Sequence, residues 1–215
     1  MNKDRIIKYY SRKNPLISLK VIEGHFATPH SHVGHYLDVT TMKTRAKEAE
    51  AIADTMKDYY NFLGKPIDTI VCFEGMNVIG AYLASQLSRA GVLSTNAHKT
   101  IYIVSPEFDG NGQQFFRDNL KPEIKDKNIL LLLSSVTTGK AVRNSIDCIN
   151  YYGGTLQGIS AIFSAIDSVD GYHIDALYDS TDIPDYHSYA THDCPMCKNG
   201  KKLEALVNGY GYSLL

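Results

Sequence analysis

The chain has no excess of positive charge. Its 22 Lys and Arg stand against 23 Asp and Glu, for a formal net charge of -1. No Lys/Arg cluster forms a basic stripe, so there is no electrostatic case for nucleic acid or an anionic membrane as partner. Long apolar runs are absent too. None reaches the ~18 residues that span a bilayer, and the charged start Met1-Asn2-Lys3-Asp4-Arg5 is unlike a secretory signal. The expectation is a cytoplasmic protein. Cysteine is scarce, with 4 in 215 residues, and a reducing cytosol excludes a disulfide framework. What is there, 44% hydrophobic and 21% charged residues, is enough for one sizeable core. A small anionic ligand held locally remains compatible with the charge balance.

The few cysteines divide by context. Cys72 lies in an apolar strand pattern and Cys148 in a helical one, where a thiol packs as a small hydrophobe. Cys194-Pro-Met-Cys197 has the spacing of a zinc knuckle or a redox pair, with His192 two residues ahead. That makes three donors where a structural Zn2+ takes four, and the alternative is a tail held by packing and turn chemistry. His25, His30, His32 and His35 crowd one N-terminal stretch. Pro29 and Gly34 break any helix that would align them, so they read as solvated loop histidines, one or two of them near a ligand.

Along the chain, Arg5 to Tyr36 shows no sustained period and reads as short strands and loops. Ala46, Ala49, Ile52, Ala53, Met56 and Tyr60 make a helical stripe within Thr44 to Leu63, ended by Gly64-Lys65-Pro66. Ile67 to Phe73 reads as a buried strand, Val78 to Arg89 as a helix closed by Gly91, and Ile101 to Val104 as a strand. Ser105 to Asn119 is polar, contains Asp109-Gly110-Asn111-Gly112, and predicts a long loop or hairpin arm of functional kind. Thr155 to Ile166 is a further strand, and Tyr186 to Leu215 a polar tail. Strands alternating with helices predict an α/β fold, a parallel doubly wound sheet whose ligands bind beyond the carboxyl ends of its strands.

At one such end the apolar run Asn128 to Leu133 stops at Ser134-Ser135-Val136-Thr137-Thr138-Gly139-Lys140, and Val142, Ile146 and Ile149 continue at helical spacing. A helix N-terminus presents unpaired N–H groups and a positive dipole end, and Gly139 lets the backbone approach closely. The turn is either a phosphate cradle or an ordinary helix start. Glu74-Gly75-Met76-Asn77 ends the preceding strand, so two backbone-rich loops would face one crevice, a geometry suited to a ligand with two phosphate groups.

These pieces resemble the type I phosphoribosyltransferases, and within them the orotate phosphoribosyltransferases. Leu130 to Ala141 is similar to the family's strand, acidic pair and Thr-Thr-Gly loop; Ile67 to Gly75 with Gly80 to its pyrophosphate strand. Gly24-His25-Phe26, Tyr36-Leu37-Asp38 and the Cys194-Pro-Met-Cys197 tail are similar to pieces of the orotate enzymes. The resemblance implies one phosphoribosyltransferase-like domain, with hood elements over 1–43, an α/β core over 44–180 and a tail over 181–215. It implies transfer of ribose 5-phosphate from phosphoribosyl pyrophosphate (PRPP) to a nucleobase such as orotate, with Mg2+ on the pyrophosphate, in a homodimer. By it, Ser134, Ser135, Thr137, Thr138, Gly139, Lys140 and Ala141 hold the phosphate and ribose, and Glu74, Gly75 and Met76 line the pyrophosphate. Phe26 and Tyr36 lie near the base, and Arg117 and Lys99 stand in for the usual catalytic cations. The family's acidic pair falls on Leu133 and Ser134, and Ser105 to Gln114 contains no basic residue. A binding or regulatory protein that kept the cradle and lost the chemistry is the alternative.

Overall fold

The computed structural model describes residues 3–61, 64, 66–89, 95–97 and 99–215. The chain opens with β1 (Ile6–Tyr10), β2 (Ser18–Ala27) and β3 (His32–Asp38), followed by α1 (Thr40–Thr44), α2 (Ala46–Met56) and α3 (Asp58–Asn61). Next come β4 (Thr69–Cys72), α4 (Asn77–Leu87), β5 (Tyr102–Val104) and an arm of β6 (Glu107–Phe108) and β7 (Gln114–Phe115). Then follow β8 (Asn128–Val136), α5 (Lys140–Tyr151), β9 (Thr155–Ser164), β10 (Ser168–Val169) and β11 (Tyr172–Asp179). The tail holds β12 (Ser188–Tyr189), α6 (Pro195–Lys198), β13 (Ala205–Asn208) and β14 (Gly211–Leu214). Among the described residues no helix is long and apolar enough to cross a membrane.

The core sheet runs β10-β11-β9-β8-β4-β5, parallel except for β10. Strand β8 shows why it is covered on both faces. Leu130 and Leu132 pack with Ala49, Ile52 and Met56 of α2 and Ile79 and Leu83 of α4. Leu131 and Leu133 point the other way, into Val142, Ile146 and Ile149 of α5. An unbroken leucine run has no polar face to show, so only a strand between two helical layers accommodates it. Each buried leucine contributes about 1.5–3 kcal/mol. The fold is the doubly wound α/β sheet that the sequence implies.

Several elements depart from the sequence reading. The expected helix from Thr44 is broken at Arg45, whose extended backbone (φ -96°, ψ 115°) ends α1 and starts α2. Its expected end at Leu63, and the closing Gly91, lie outside the described residues. The N-terminal stretch forms a ten-residue β2 rather than short pieces. The tail is not merely polar: β12, β13 and β14 join β3 and β2 in a second sheet ordered β12-β3-β2-β13-β14, with β1 also on β2. Strand β13 lies parallel to β2 through Ala205 and Leu206 opposite Phe26 and Ala27. A pairing that spans most of the chain leaves little local trace. β11, with a mixed burial pattern, escapes the period-2 test for the same want of a clean alternation.

Asp68 fastens the amino ends of the core strands. Its carboxylate accepts from the Asn128 backbone N–H (2.9 Å) and from Asn128 Nδ2 (2.6 Å). Burial pushes its pKa up, but the Asn128 donors and Lys99 outweigh this and hold it below the ordinary value. A depressed carboxylate contributes stability above its unfolded pKa, about 3.9, and loses it as pH falls through the folded value. Asp68→Asn is therefore expected to flatten the fall in unfolding free energy below about pH 4, measured by urea melts at several acid pH values. An unchanged slope would show that Asp68 has no such role.

Candidate functional site

The carboxyl ends of β4 and β8 carry the two loops. After β4 the backbone turns through two left-handed residues, Glu74 (φ 51°) and Gly75 (φ 78°). Such a conformation costs a non-glycine residue about 1–3 kcal/mol and persists where the surroundings hold it. Here Lys43 holds it: the buried ammonium donates to the carbonyl of Glu74 at 2.7 Å and to the carbonyl of Gly209. Burial pushes the Lys43 pKa down against the pull of Glu74. The Glu74 carboxylate reaches across to β8, where it accepts from the Ser134 hydroxyl and, at 3.3 Å, from the Gly209 N–H.

After β8, Gly139 (φ 75°) is the N-cap of α5, and no side chain caps that helix. A Cβ at Gly139 would lie 2.7 Å from Val169 and 3.0 Å from Ile166, so position 139 requires glycine twice over. A cavity of about 150 Å³ opens over this turn, lined by Glu74, Ser135, Thr137 to Ala141, the Thr28 to Ser31 turn, Asn208 and Gly209. A smaller crevice continues inward past Ser134, Ser135, Thr137, Tyr36, His35 and Tyr186. The hood and the tail thus roof the carboxyl edge of the core sheet. Uncapped amides, two threonine hydroxyls, Lys140 and one carboxylate facing one cavity are groups that can take an anion and, beside it, hydroxyl donors.

The structure brings together some of the expected residues and separates others. Ser134, Ser135, Thr137, Thr138, Gly139, Lys140, Ala141, Glu74 and Tyr36 border these crevices. Gly75 sits beside Lys43, whose Nζ would lie 3.7 Å from a Cβ there. Met76 is fully buried in the core, and its N–H is donated to the Phe73 carbonyl at 3.0 Å, so it supports the loop and borders neither crevice. Phe26 is fully buried in the hood, edge-on to Tyr36, away from the crevice walls. Lys99 lies at the opposite end of the parallel strands, 3.8 Å from Asp68 before β4, and cannot reach the cradle. Arg117 follows the arm beside Phe116, which packs on Tyr152 at the far end of α5, and its guanidinium is held by Glu107 at 2.9 and 2.6 Å.

Sequence reasoning assigned no site role to four contributors. Lys43 is a buried lysine beside Met42 on a short helix, and no local pattern announces its carbonyl partners. Gly209 and Asn208 come from the tail turn and carry no local signal. His35, one of the crowded histidines, stacks on Tyr186 at 6.0 Å, and its buried Nδ1 has no hydrogen-bond partner among the described residues. Burial lowers its pKa, which favours the neutral ring. Burial likewise pushes the Tyr36 hydroxyl up to about 12. Of the other histidines, His25 and His32 are not solvated loop residues; they are buried in hood strands and converge on Cys194 and Cys197. His192 stands in an exposed turn outside that group, because the chain turns away before the Cys194-Pro195 helix start.

No protein-family model matches the chain. Over 204 residues it is 26% identical to an orotate phosphoribosyltransferase of Thermoanaerobacter sp. (strain X514), covering 93% of this chain and 94% of that protein. It is 24% identical, with the same coverage, to an orotate phosphoribosyltransferase of Pelotomaculum thermopropionicum. Its fold matches the crystal structure of adenine phosphoribosyltransferase from Thermoanaerobacter pseudethanolicus, with a TM-score of 0.51 at 15% identity over 82% of this chain and 96% of that one. The chain is thus similar nearly end to end to orotate phosphoribosyltransferases, and it shares its fold with a phosphoribosyltransferase structure.

Proposed function

We propose that the protein transfers ribose 5-phosphate from PRPP to a nucleobase, with orotate as the acceptor, as in pyrimidine nucleotide formation. The observation that carries this reading is the single cavity in which the Thr137-Thr138-Gly139 turn and the Glu74 carboxylate face each other. In this reading the first-turn amides of α5 and the threonine hydroxyls take the 5-phosphate. Glu74, held by Ser134 and Gly209, accepts from the ribose hydroxyls in place of the carboxylates missing at 133 and 134. His35 and Tyr36 border the inner crevice where the base enters. Roofing by hood and tail keeps water from the anomeric carbon, where positive charge develops as the pyrophosphate leaves. Mg2+ binds through one or two carboxylates plus substrate phosphates and keeps several waters. Glu74, the one carboxylate among the described residues lining the two crevices, fits that demand, and the ion would neutralise charge on the pyrophosphate.

A second reading is a nucleotide- or PRPP-binding regulatory protein. Leu133 is buried where the family places an acid, and the arm's Arg117 is already paired with Glu107. Both reduce what the site offers to a leaving pyrophosphate.

Calorimetric titration with PRPP and orotidine monophosphate, with and without Mg2+, followed by an orotate-consumption assay, tests the proposal. Magnesium-dependent PRPP binding and orotate loss are expected. Nucleotide binding indifferent to magnesium, without turnover, would leave the regulatory reading. Thr138→Trp is expected to fill the 150 Å³ cavity and abolish binding of either ligand; retained binding would place the phosphate elsewhere.

A further inference from the structure

We infer that His25, His32, Cys194 and Cys197 form a structural zinc site that clasps the tail to the hood, independent of the transfer reading. One donor atom from each residue lies within 4.8 Å of all the others. His25 Nε2 is 3.3 Å from His32 Nδ1, 3.5 Å from Cys194 Sγ and 3.7 Å from Cys197 Sγ, and His32 Nδ1 is 3.3 Å from Cys197 Sγ. Tetrahedral bonds of ~2.05 Å to nitrogen and ~2.3 Å to sulfur require N–N edges near ~3.3 Å and N–S edges near ~3.6 Å. These four edges follow that pattern, and the other two lie within 4.8 Å.

The surroundings agree with a metal more than with thiol and imidazole hydrogen bonds alone. His25 Nδ1 is 2.7 Å from the Lys201 carbonyl, which only accepts, so Nδ1 carries the proton. That leaves the Nε2 lone pair pointing into the group, the backbone-carbonyl support usual behind a zinc-bound histidine. His25, His32 and Cys194 are buried and Cys197 is exposed. Each thiol has one proton to donate, whereas a zinc ion engages all four donor atoms at once with both sulfurs as thiolates. Four protein donors leave no open position, which marks a structural and not a catalytic site.

Its place in the fold states its role. His25 lies in β2 and His32 begins β3, while Cys194 caps α6 and Cys197 lies within it. Beyond the cluster, Lys201 Nζ donates to the Gly24 carbonyl at 3.2 Å and the Glu204 N–H to the His25 carbonyl at 2.8 Å. Then β13 docks on β2 and carries the Gly209 turn onto Glu74. A metal here fixes the segment that roofs the crevice.

Metal analysis of the full chain, purified without chelator, is expected to find about one zinc per chain. Cobalt(II) exchanged into it is expected to show tetrahedral ligand-field bands with sulfur-to-metal charge transfer. Cys197→Ser and His32→Ala are expected to lose the metal, and His192→Ala to keep it. Because the ligand variants can fail to fold, the unaltered protein supplies a second readout. Zinc is expected to slow iodoacetamide alkylation of Cys197 roughly tenfold or more, since the bound thiolate is no longer free to attack, and a chelator to reverse this while lowering the melting temperature. Two results would overturn the inference: alkylation indifferent to added zinc, and a Cys194–Cys197 disulfide in protein that takes up no zinc after reduction.

Discussion

Leu133→Asp is expected to destabilise the protein by roughly 3–5 kcal/mol, the cost of an uncompensated buried charge, and to give no gain in turnover. On the sequence alone the opposite follows, because an Asp here restores one of the family's two carboxylates. The structure places the side chain, 2% exposed, on the α5 face of β8 among Val71, Phe73 and Val104. A carboxylate there has neither water nor a cation, and it either forces the strand to shift or takes up a proton. Urea denaturation checks this through the midpoint. An unchanged midpoint with raised orotate turnover would mean that the β8 carboxyl end can rotate toward the cavity. Ser134→Asp is a separate case, since that hydroxyl already donates to Glu74 and a carboxylate would meet one of its own sign.

Gly209→Val is expected to lift the tail turn from the site and weaken PRPP binding about tenfold, with a stability loss of about 1–3 kcal/mol from overpacking. A Cβ at Gly209 would fall 1.9 Å from Glu74 Oε2 and 2.3 Å from Ser134 Oγ, far inside any contact distance. Neither neighbour can yield freely, as Glu74 is held by Lys43 through its carbonyl and by Ser134 through its carboxylate. When the turn moves, Glu74 loses the Gly209 N–H and Lys43 loses the Gly209 carbonyl. Hydrogen exchange should then report faster opening of β13 and β14, with the core strands unchanged. Tight PRPP binding in a protein whose hairpin exchanges freely would show that the tail turn does not shape the ligand site.

Local pattern and long-range packing divide this molecule between them. The leucine run of β8, the helical stripe of α2 and the Gly139 turn into α5 are legible because burial on both faces, helical amphipathicity and a left-handed backbone each leave a mark within a dozen residues. Those marks determine the parallel doubly wound sheet and the position of the Thr137-Thr138-Gly139 turn at its carboxyl edge. Nothing local marks Gly209 against Glu74, Lys43 between two carbonyls, or His25 and His32 beside Cys194 and Cys197. Each of these depends on a contact with a tail more than 130 residues away in the chain, and a contact between distant segments needs only the right residue at each end. The sequence therefore specifies the glycine turn into α5, and tertiary structure alone decides which carboxylate faces it, which cations reach it and which histidines join the cysteines.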